Sequence, residues 1–265
     1  MKYLEHEIST PNNLIIKSVF WLECDKINRF QFFLPNGHPE FMVTDFPVSV
    51  ISKSKLIIEH KTCLFWGQIR FSGHIISTHP YKMFGITFQP WVLRLITNPN
   101  NPQLLDSIVS GHLVFSPDII KYTNNLLKTE KFHNSLNYIE EELSDLLINK
   151  ILNQCIDQED LIKTTLAIKN YPSLKISEHL TLYNKSLRTL ENQFRKNIGI
   201  TPKEYQKIVR LRKASEDIKN GKKFIDAALD SGYYDQPHFN NEFKKATAKS
   251  PTQFTWNENL ILSKL

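Results

Sequence analysis

One offset of 49 residues relates two stretches in the C-terminal part of the chain. It pairs Ile176 with Ile225, Leu180 with Leu229, Leu190 with Phe239 and Phe194 with Phe243. It also pairs Arg195 with Lys244, Lys196 with Lys245, Thr201 with Ser250, Pro202 with Pro251 and Tyr205 with Phe254. Self-similarity at a fixed spacing marks one structural unit used twice.

The unit reads as two helices and a turn. KISEHL and FIDAAL are short helical segments with apolar residues four apart, which places them on one face. A tight turn follows. In the second copy it holds Gly232, suited to a left-handed backbone; in the first, Tyr183 and Asn184 stand there. Ser186 and Asp235, again 49 apart, are good caps for the next helix. In that helix Leu190 and Phe194, or Phe239 and Phe243, form one buried stripe and leave a polar outer face. Short helix, tight turn and longer helix with a polar face make a helix-turn-helix.

Each copy ends on a capping box with proline in the first turn, TPKE (201–204) and SPTQ (250–253), expected to stop one helix and open another. After Thr201 the pattern Tyr205, Ile208, Val209, Leu211, Ala214 and Ile218 predicts a helix that Asn220-Gly221 terminates. Its length, roughly 27 Å at ~1.5 Å per residue, makes it a stiff spacer. Successive major grooves on one duplex face lie ~34 Å apart, so such a spacer suits two reading helices in adjacent grooves.

Charge follows the repeat. Residues 161–256 carry 18 Lys and Arg against 9 Asp and Glu, while the remainder carries 15 against 18. The formal net charge of +6 therefore arises in the C-terminal part alone, as expected of a polyanion-binding module beside a domain of another kind.

Residues 1–115 read as β-rich. FQFFLPNGHPEFMV is aromatic and β-branched and carries a Pro-Asn-Gly turn signal. WGQIRFSGHIIST places Ile69, Phe71 and Ile75 around Gly73, as in a strand bent at the glycine. KMFGITF alternates Phe84, Ile86 and Phe88 on one strand face. Pro90 is placed to open a helix with Trp91, Leu95 and Val92 facing inward. Residues 116–157 read as helical, started by Ser116-Pro117-Asp118. There Phe132, Leu136, Ile139, Leu143 and Leu146 form a narrow apolar seam. It serves either a dimer or packing on its own domain. The expected class is thus α+β: a β-rich barrel-like domain at 1–115, a helical connector at 116–157, an all-α domain with two helix-turn-helix units at 158–256, and a tail at 257–265.

Cys24, Cys63 and Cys155 are far apart and form no CxxC, so neither a disulfide framework nor a zinc finger is expected. No leader-like segment and no ~20-residue apolar run is present, and the chain reads as cytoplasmic. No G-x-S-x-G, Walker loop or dinucleotide fingerprint occurs. No catalytic residue, cofactor or metal is expected, and the chain does not read as an enzyme. His38, Glu40, His74 and His79 supply the residue types of a metal site without its tight spacing. They carry the alternative reading, a cupin-like metal-dependent enzyme with an appended nucleic-acid-targeting domain. Phe32, Phe41, Trp66, Phe71, Phe84 and Phe88 are candidates for a ligand pocket or for ordinary core.

SLRTLENQF followed by GITP, then ALDSGYYDQPHF, EFKK and SPTQF, resemble the DNA-binding domain of AraC/XylS-type transcriptional regulators. The resemblance covers both units and the connecting helix. It implies a sequence-specific regulator that binds double-stranded DNA, with RNA polymerase, a small-molecule effector and a second copy of the chain as further partners. Carried onto matching positions, it makes Arg188, Glu191 and Asn192 in the first helix, and Gln236, Pro237, His238 and Asn241 in the second, readers of bases. Lys185, Ser186, Arg195, Lys196, Lys244 and Lys245 would hold phosphates. The family commonly has arginine where Asn192 and Asn241 stand, and glycine at Ala248. Asparagine matches the adenine edge rather than guanine. LPNGHPEF, WGQI and FGITFQPW resemble the cupin-like domain often found ahead of such modules, implying effector sensing or dimerisation.

Overall fold

The computed structural model describes residues 2–9, 12–25, 31–52, 55–97, 104–128, 136–148, 151–152, 158–183, 186–254, 256 and 260–261. Strand alternation explains the N-terminal half. On β2 (Ile16–Cys24) and β7 (Tyr81–Phe88), successive side chains point to opposite faces. Phe20, Leu22, Tyr81 and Met83 join one core; Val19, Trp21, Phe84, Ile86 and Phe88 join another. Both faces of the sheet are therefore buried, which is why these strands read as near-continuous apolar runs.

The strand order is β1 (Lys2–Glu7), β2, β7, β4 (Glu40–Ser52), β6 (Gly73–Ile76), β3 (Gln31–Phe33). Residues 40–44 of β4 pair with β7 and residues 49–51 with β6. Its other edge pairs with β5 (Lys55–Trp66) through register shifts between Val43 and Ile51. Such irregularities bend a strand, so β4 and β5 turn the sheet on itself. β8 (Ile108–Ser110) extends the β5 edge. The stretch expected as a bent strand is corrected at residues 67–72, where the chain leaves the sheet; Gly73 instead begins β6. There a Cβ would meet Ile51 O at 2.7 Å and the Phe33 ring at 2.8 Å.

Pro90 opens a 3-10 turn leading into α1 (Leu93–Ile96). The connector includes α2 (Pro117–Lys128) and α3 (Leu136–Leu143), which runs on into a wider helical turn at Ser144–Ile148. Phe132 lies outside the described residues. Ile139 and Leu143 are fully buried in the chain's own core, and Glu140 is tied to β1 and its following residues by Ser9 Oγ (2.6 Å) and His6 Nε2 (3.1 Å). That part of the seam is used within the chain. Cys24 and Cys63 are buried and are not joined in a disulfide; Cys155 lies outside the described residues.

The C-terminal half holds α4 (Glu159–Asn170), α5 (Ile176–His179), α6 (Leu187–Asn197), α7 (Pro202–Lys219), α8 (Phe224–Asp230) and α9 (Gln236–Thr247). TPKE forms a complete capping box: Thr201 Oγ1 accepts from Glu204 N at 3.1 Å, and Glu204 Oε2 accepts from Thr201 N at 2.9 Å. SPTQ makes the same reciprocal bonds, both at 3.3 Å. However, only a turn follows, so the expected second helix is corrected: the aromatic residues Phe254 and Trp256 fold back onto Phe243. In the tail, β9 (Leu260–Ile261) pairs in parallel with β3.

The halves meet along α7. A Cβ at Gly37, whose φ is +76°, would meet the Tyr205 ring at 2.8 Å. Arg70 Nε donates to Asp106 Oδ2 at 2.8 Å and its Nη1 to Glu204 Oε1 at 2.6 Å. Ser72 donates to Ala246 O from both N (3.0 Å) and Oγ (2.9 Å), so β-domain backbone holds the end of α9.

Candidate nucleic-acid interface

Capping and burial orient the two candidate reading helices. Ser186 Oγ accepts from Thr189 N at 3.2 Å and starts α6; Asp235 Oδ1 accepts from His238 N at 2.8 Å and starts α9. Leu190, Phe194, Phe239 and Phe243 are fully buried, so each helix is fixed by one stripe. Both units pack on α7. Phe194 meets Tyr205 edge-on at 6.2 Å, while Leu211, Ala214 and Ile218 share a core with Phe239 and Phe243. Gln206 Nε2 and Arg210 Nε bind Pro172 O at 2.9 and 2.6 Å and fix the loop ahead of α5.

The opposite faces are polar. Arg188, Asn192 and Lys196 are exposed and four apart, hence on one stripe of α6. Pro237, Asn241 and Lys245 are their counterparts on α9 and are also exposed. Ser186, Arg195, His238 and Lys244 are exposed beside them; Glu191 and Gln236 are half-buried at the margins. Lys185 lies outside the described residues. The His238 ring stands edge-on to Tyr233 at 5.3 Å, with Nε2 3.8 Å from Glu242. Glu242 is itself paired with Lys207 at 3.1 Å, which offsets the one acid on this face of α9. Two exposed apolar side chains escape the sequence reading: Leu187 in the first turn of α6 and Tyr234, 88% exposed, just ahead of α9. Their only signal was their position next to the caps. Apolar groups there suit thymine methyls.

Ala248 ends α9 with φ +62°, the left-handed conformation glycine adopts without cost. Ala248→Gly is expected to stabilise the protein by about 1 kcal/mol, read as a Tm rise of about 2–4 °C; a fall would show that the strain lies elsewhere.

Arg212 is the largest surprise on α7. The helical period carries it into the buried stripe, four residues after Ile208, and it is fully buried. Its Nε lies 3.3 Å from Glu216 Oε1. It also acts electrostatically on Tyr3, Glu40 and Glu5 of the β-domain. The period of Ile208, Val209 and Arg212 was the available signal.

Within the β-domain a small cavity of about 30 Å³, open at its mouth, is lined by Phe20, Phe33, Trp66, Ile75 and Met83 and by a polar group of Asn36, His38 and Glu40. Asn36 Nδ2 donates to Glu40 Oε1 at 2.6 Å, and His38 Nδ1 to Phe88 O at 2.8 Å. Burial pushes the Glu40 carboxyl up to about 7 and holds the His38 imidazole well below its ordinary range. Of the six aromatic pocket candidates only Trp66 lines this cavity. Phe41, Phe84 and Phe88 are fully buried in the core, Phe32 packs on Phe254 at 4.6 Å, and Phe71 is half-buried against the inner core. Among the described residues no three His, Cys, Asp or Glu side chains are grouped to share a metal ion. His74 instead meets Phe32, and His79 meets Phe46. No described helix is long and apolar enough to cross a membrane.

Residues 181–256 match the helix-turn-helix domain family. The transcriptional activator RhaS of Klebsiella pneumoniae (strain 342) is 32% identical over 81 residues, 30% of this chain and 29% of that protein. The match thus spans under a third of the curated relative. A solved structure of ToxT from Vibrio cholerae shares the fold over 95% of this chain and 97% of its own, with a TM-score of 0.54 and 12% identity. A second, described as unsaturated fatty acid bound wild-type ToxT from Vibrio cholerae strain SCE256, covers 87% and 93% with a TM-score of 0.53 and 12% identity. Residues 181–256 of this chain therefore form a helix-turn-helix domain, carried behind a β-rich domain in a two-domain α+β architecture.

Proposed function

We propose that this protein is a sequence-specific DNA-binding transcription regulator whose β-domain responds to a small-molecule effector. The observation that carries the reading is the pair of equivalent polar stripes on α6 and α9, fixed to one rod. Residues 158–256 would bind DNA, residues 1–115 would hold the effector, residues 116–157 would connect them and residues 257–265 would form the tail. Arg188, Glu191, Asn192, Gln236, Pro237, His238 and Asn241 would read bases. Ser186, Arg195, Lys196, Lys244, Lys245 and Lys185 would hold phosphates. The relative RhaS, described as a transcriptional activator, supports the DNA-binding part; the ToxT structure with bound fatty acid supports the effector part. A second copy of the chain and RNA polymerase are the further partners of such a regulator, which would act in the cytoplasm without catalysing a reaction.

The test is selection of bound duplexes from random DNA, followed by affinity against salt. The expected site holds two elements about 10–10.5 bp apart, one helical turn, and log K falls steeply with log salt as phosphate contacts release counterions. A single element, or a salt-independent affinity, refutes the reading.

A further inference from the structure

The two helix-turn-helix units touch each other directly, beside the α7 rod that carries both. A turn at 171–175 leads from α4 into α5, the first helix of the first unit. The rod holds its carbonyls. Gln206 Nε2 donates to Pro172 O at 2.9 Å and to Leu174 O at 2.6 Å. Arg210 donates from Nε to Pro172 O at 2.6 Å and from Nη2 to Ser173 O at 3.4 Å. The same turn meets the second unit at Gly232, between α8 and α9. A Cβ there would lie 2.5 Å from Ser173 Cα and 2.8 Å from Ser173 Cβ, so the two turns approach as closely as backbone allows.

This contact reaches α9. Tyr233, next to Gly232, is buried, and its ring meets those of His238 at 5.3 Å and Phe239 at 5.2 Å. Lys213 Nζ donates to Asp230 O at 2.9 Å, so the rod also holds the end of α8. Arg210 acts electrostatically on Tyr233 and Glu242 as well. It therefore serves the turn of one unit and the reading helix of the other.

The rod alone leaves a freedom. Apolar burial is non-directional, so a unit fixed to one helix by one apolar stripe can swivel about that helix. Hydrogen bonds are directional, and a contact away from the rod axis removes the swivel. Groups that recognise a ligand must be held within about 10–20° of their working geometry.

We propose that the turn at Pro172–Leu174, tied to Gln206 and Arg210 and seated against Gly232, is a bracket that sets the angle between α6 and α9, and with it the spacing of DNA elements the chain accepts. Gln206, Arg210 and Gly232 are positioning residues, outside the polar stripes of α6 and α9. The inference rests on the reading of those two helices as DNA readers.

The test uses the full chain and its selected duplex, with one base pair inserted or removed between the two elements. Each change moves the second element by about 3.4 Å and turns it by about 35°. The parent is expected to bind the altered duplexes at least about 5-fold more weakly, the low end for one lost bidentate base contact. In the double variant Gln206→Met, Arg210→Met that penalty is expected to fall to about 2-fold or less, under the worth of one such contact. Loss of one cation weakens binding to all sequences alike, and loss of fold stability does the same, so neither moves the ratio between spacings. Should the double variant fail to fold, Arg210→Met alone, at a half-buried position, carries the same test. A variant that keeps the parent's penalty overturns the proposal and leaves the two-headed reading standing. A parent that binds one element as tightly as two refutes that reading, and the proposal with it.

Discussion

Replacing Asn192 and Asn241 by alanine is expected to weaken binding to a selected DNA site by about 1–3 kcal/mol per position, roughly 5- to 150-fold each, if each amide is bidentate to a base. The two lie 49 residues apart in sequence, at the same place on equivalent stripes, and both are exposed. Neither carries charge, so the slope of log K against log salt should not change. Lys244→Ala with Lys245→Ala should behave oppositely, weakening all sequences alike and reducing that slope by about one per lysine. Asparagine pairs with adenine N6 and N7, whereas arginine pairs with guanine O6 and N7. Asn241→Arg is therefore expected to move the preference beneath α9 from adenine to guanine. Selections that return the same base for the two proteins, or alanine variants that bind the site as well as the parent, refute the assignment of these residues.

What the sequence revealed, and what it did not, follows from the range of the interactions involved. Caps, proline at a first turn and i, i+4 apolar pairs are local, and they place α6, α7 and α9 directly: Ser186, Thr201 and Asp235 are the observed N-caps. Gly232, whose place in the turn calls for a left-handed backbone, has φ +86°; its close approach to Ser173, where a Cβ would lie 2.5 Å from Ser173 Cα, depends on the tertiary fold. The SPTQ box keeps its local hydrogen bonds, but Phe254 and Trp256 pack on Phe243 in place of a continuing helix. Alternation alone could not sort the β-domain aromatics, since a sheet buried on both faces offers two apolar sides. Phe84 and Trp66 look alike in sequence, and only the strand pairing sends one to the core and the other to the cavity. The seam between the halves, with Arg70 on Glu204 and Ser72 on Ala246, joins residues 134 and 174 apart and leaves no local trace.

Arg212 carries the largest expected effect on stability. Arg212→Met preserves the apolar stem and removes the guanidinium that faces Glu216 and, across the seam, Glu40 and Glu5. Breaking a buried pair on one side leaves uncompensated charge and costs about 3–5 kcal/mol. The loss should depend on pH. Burial already raises the Glu40 carboxyl from its ordinary 4.5 to about 7, and Arg212 is among the groups holding it down. A carboxyl raised in the folded state binds its proton more tightly there than in the unfolded chain. Its contribution is complete below about 4.5 and is lost as pH rises through the folded value. Removing Arg212 moves that folded value higher still, and it does the same at Glu216, which burial raises and Arg212 lowers. The variant's deficit in urea unfolding should therefore be larger at pH 8 than at pH 5.5, where the Glu40 carboxyl can stay protonated. Glu40→Gln in the same background keeps an acceptor for Asn36 and removes one charge, so it should recover part of the deficit at pH 8 and little at pH 5.5. A deficit identical at the two pH values would mean that Arg212 acts through packing of its stem and that the charges across the seam are not coupled to folding.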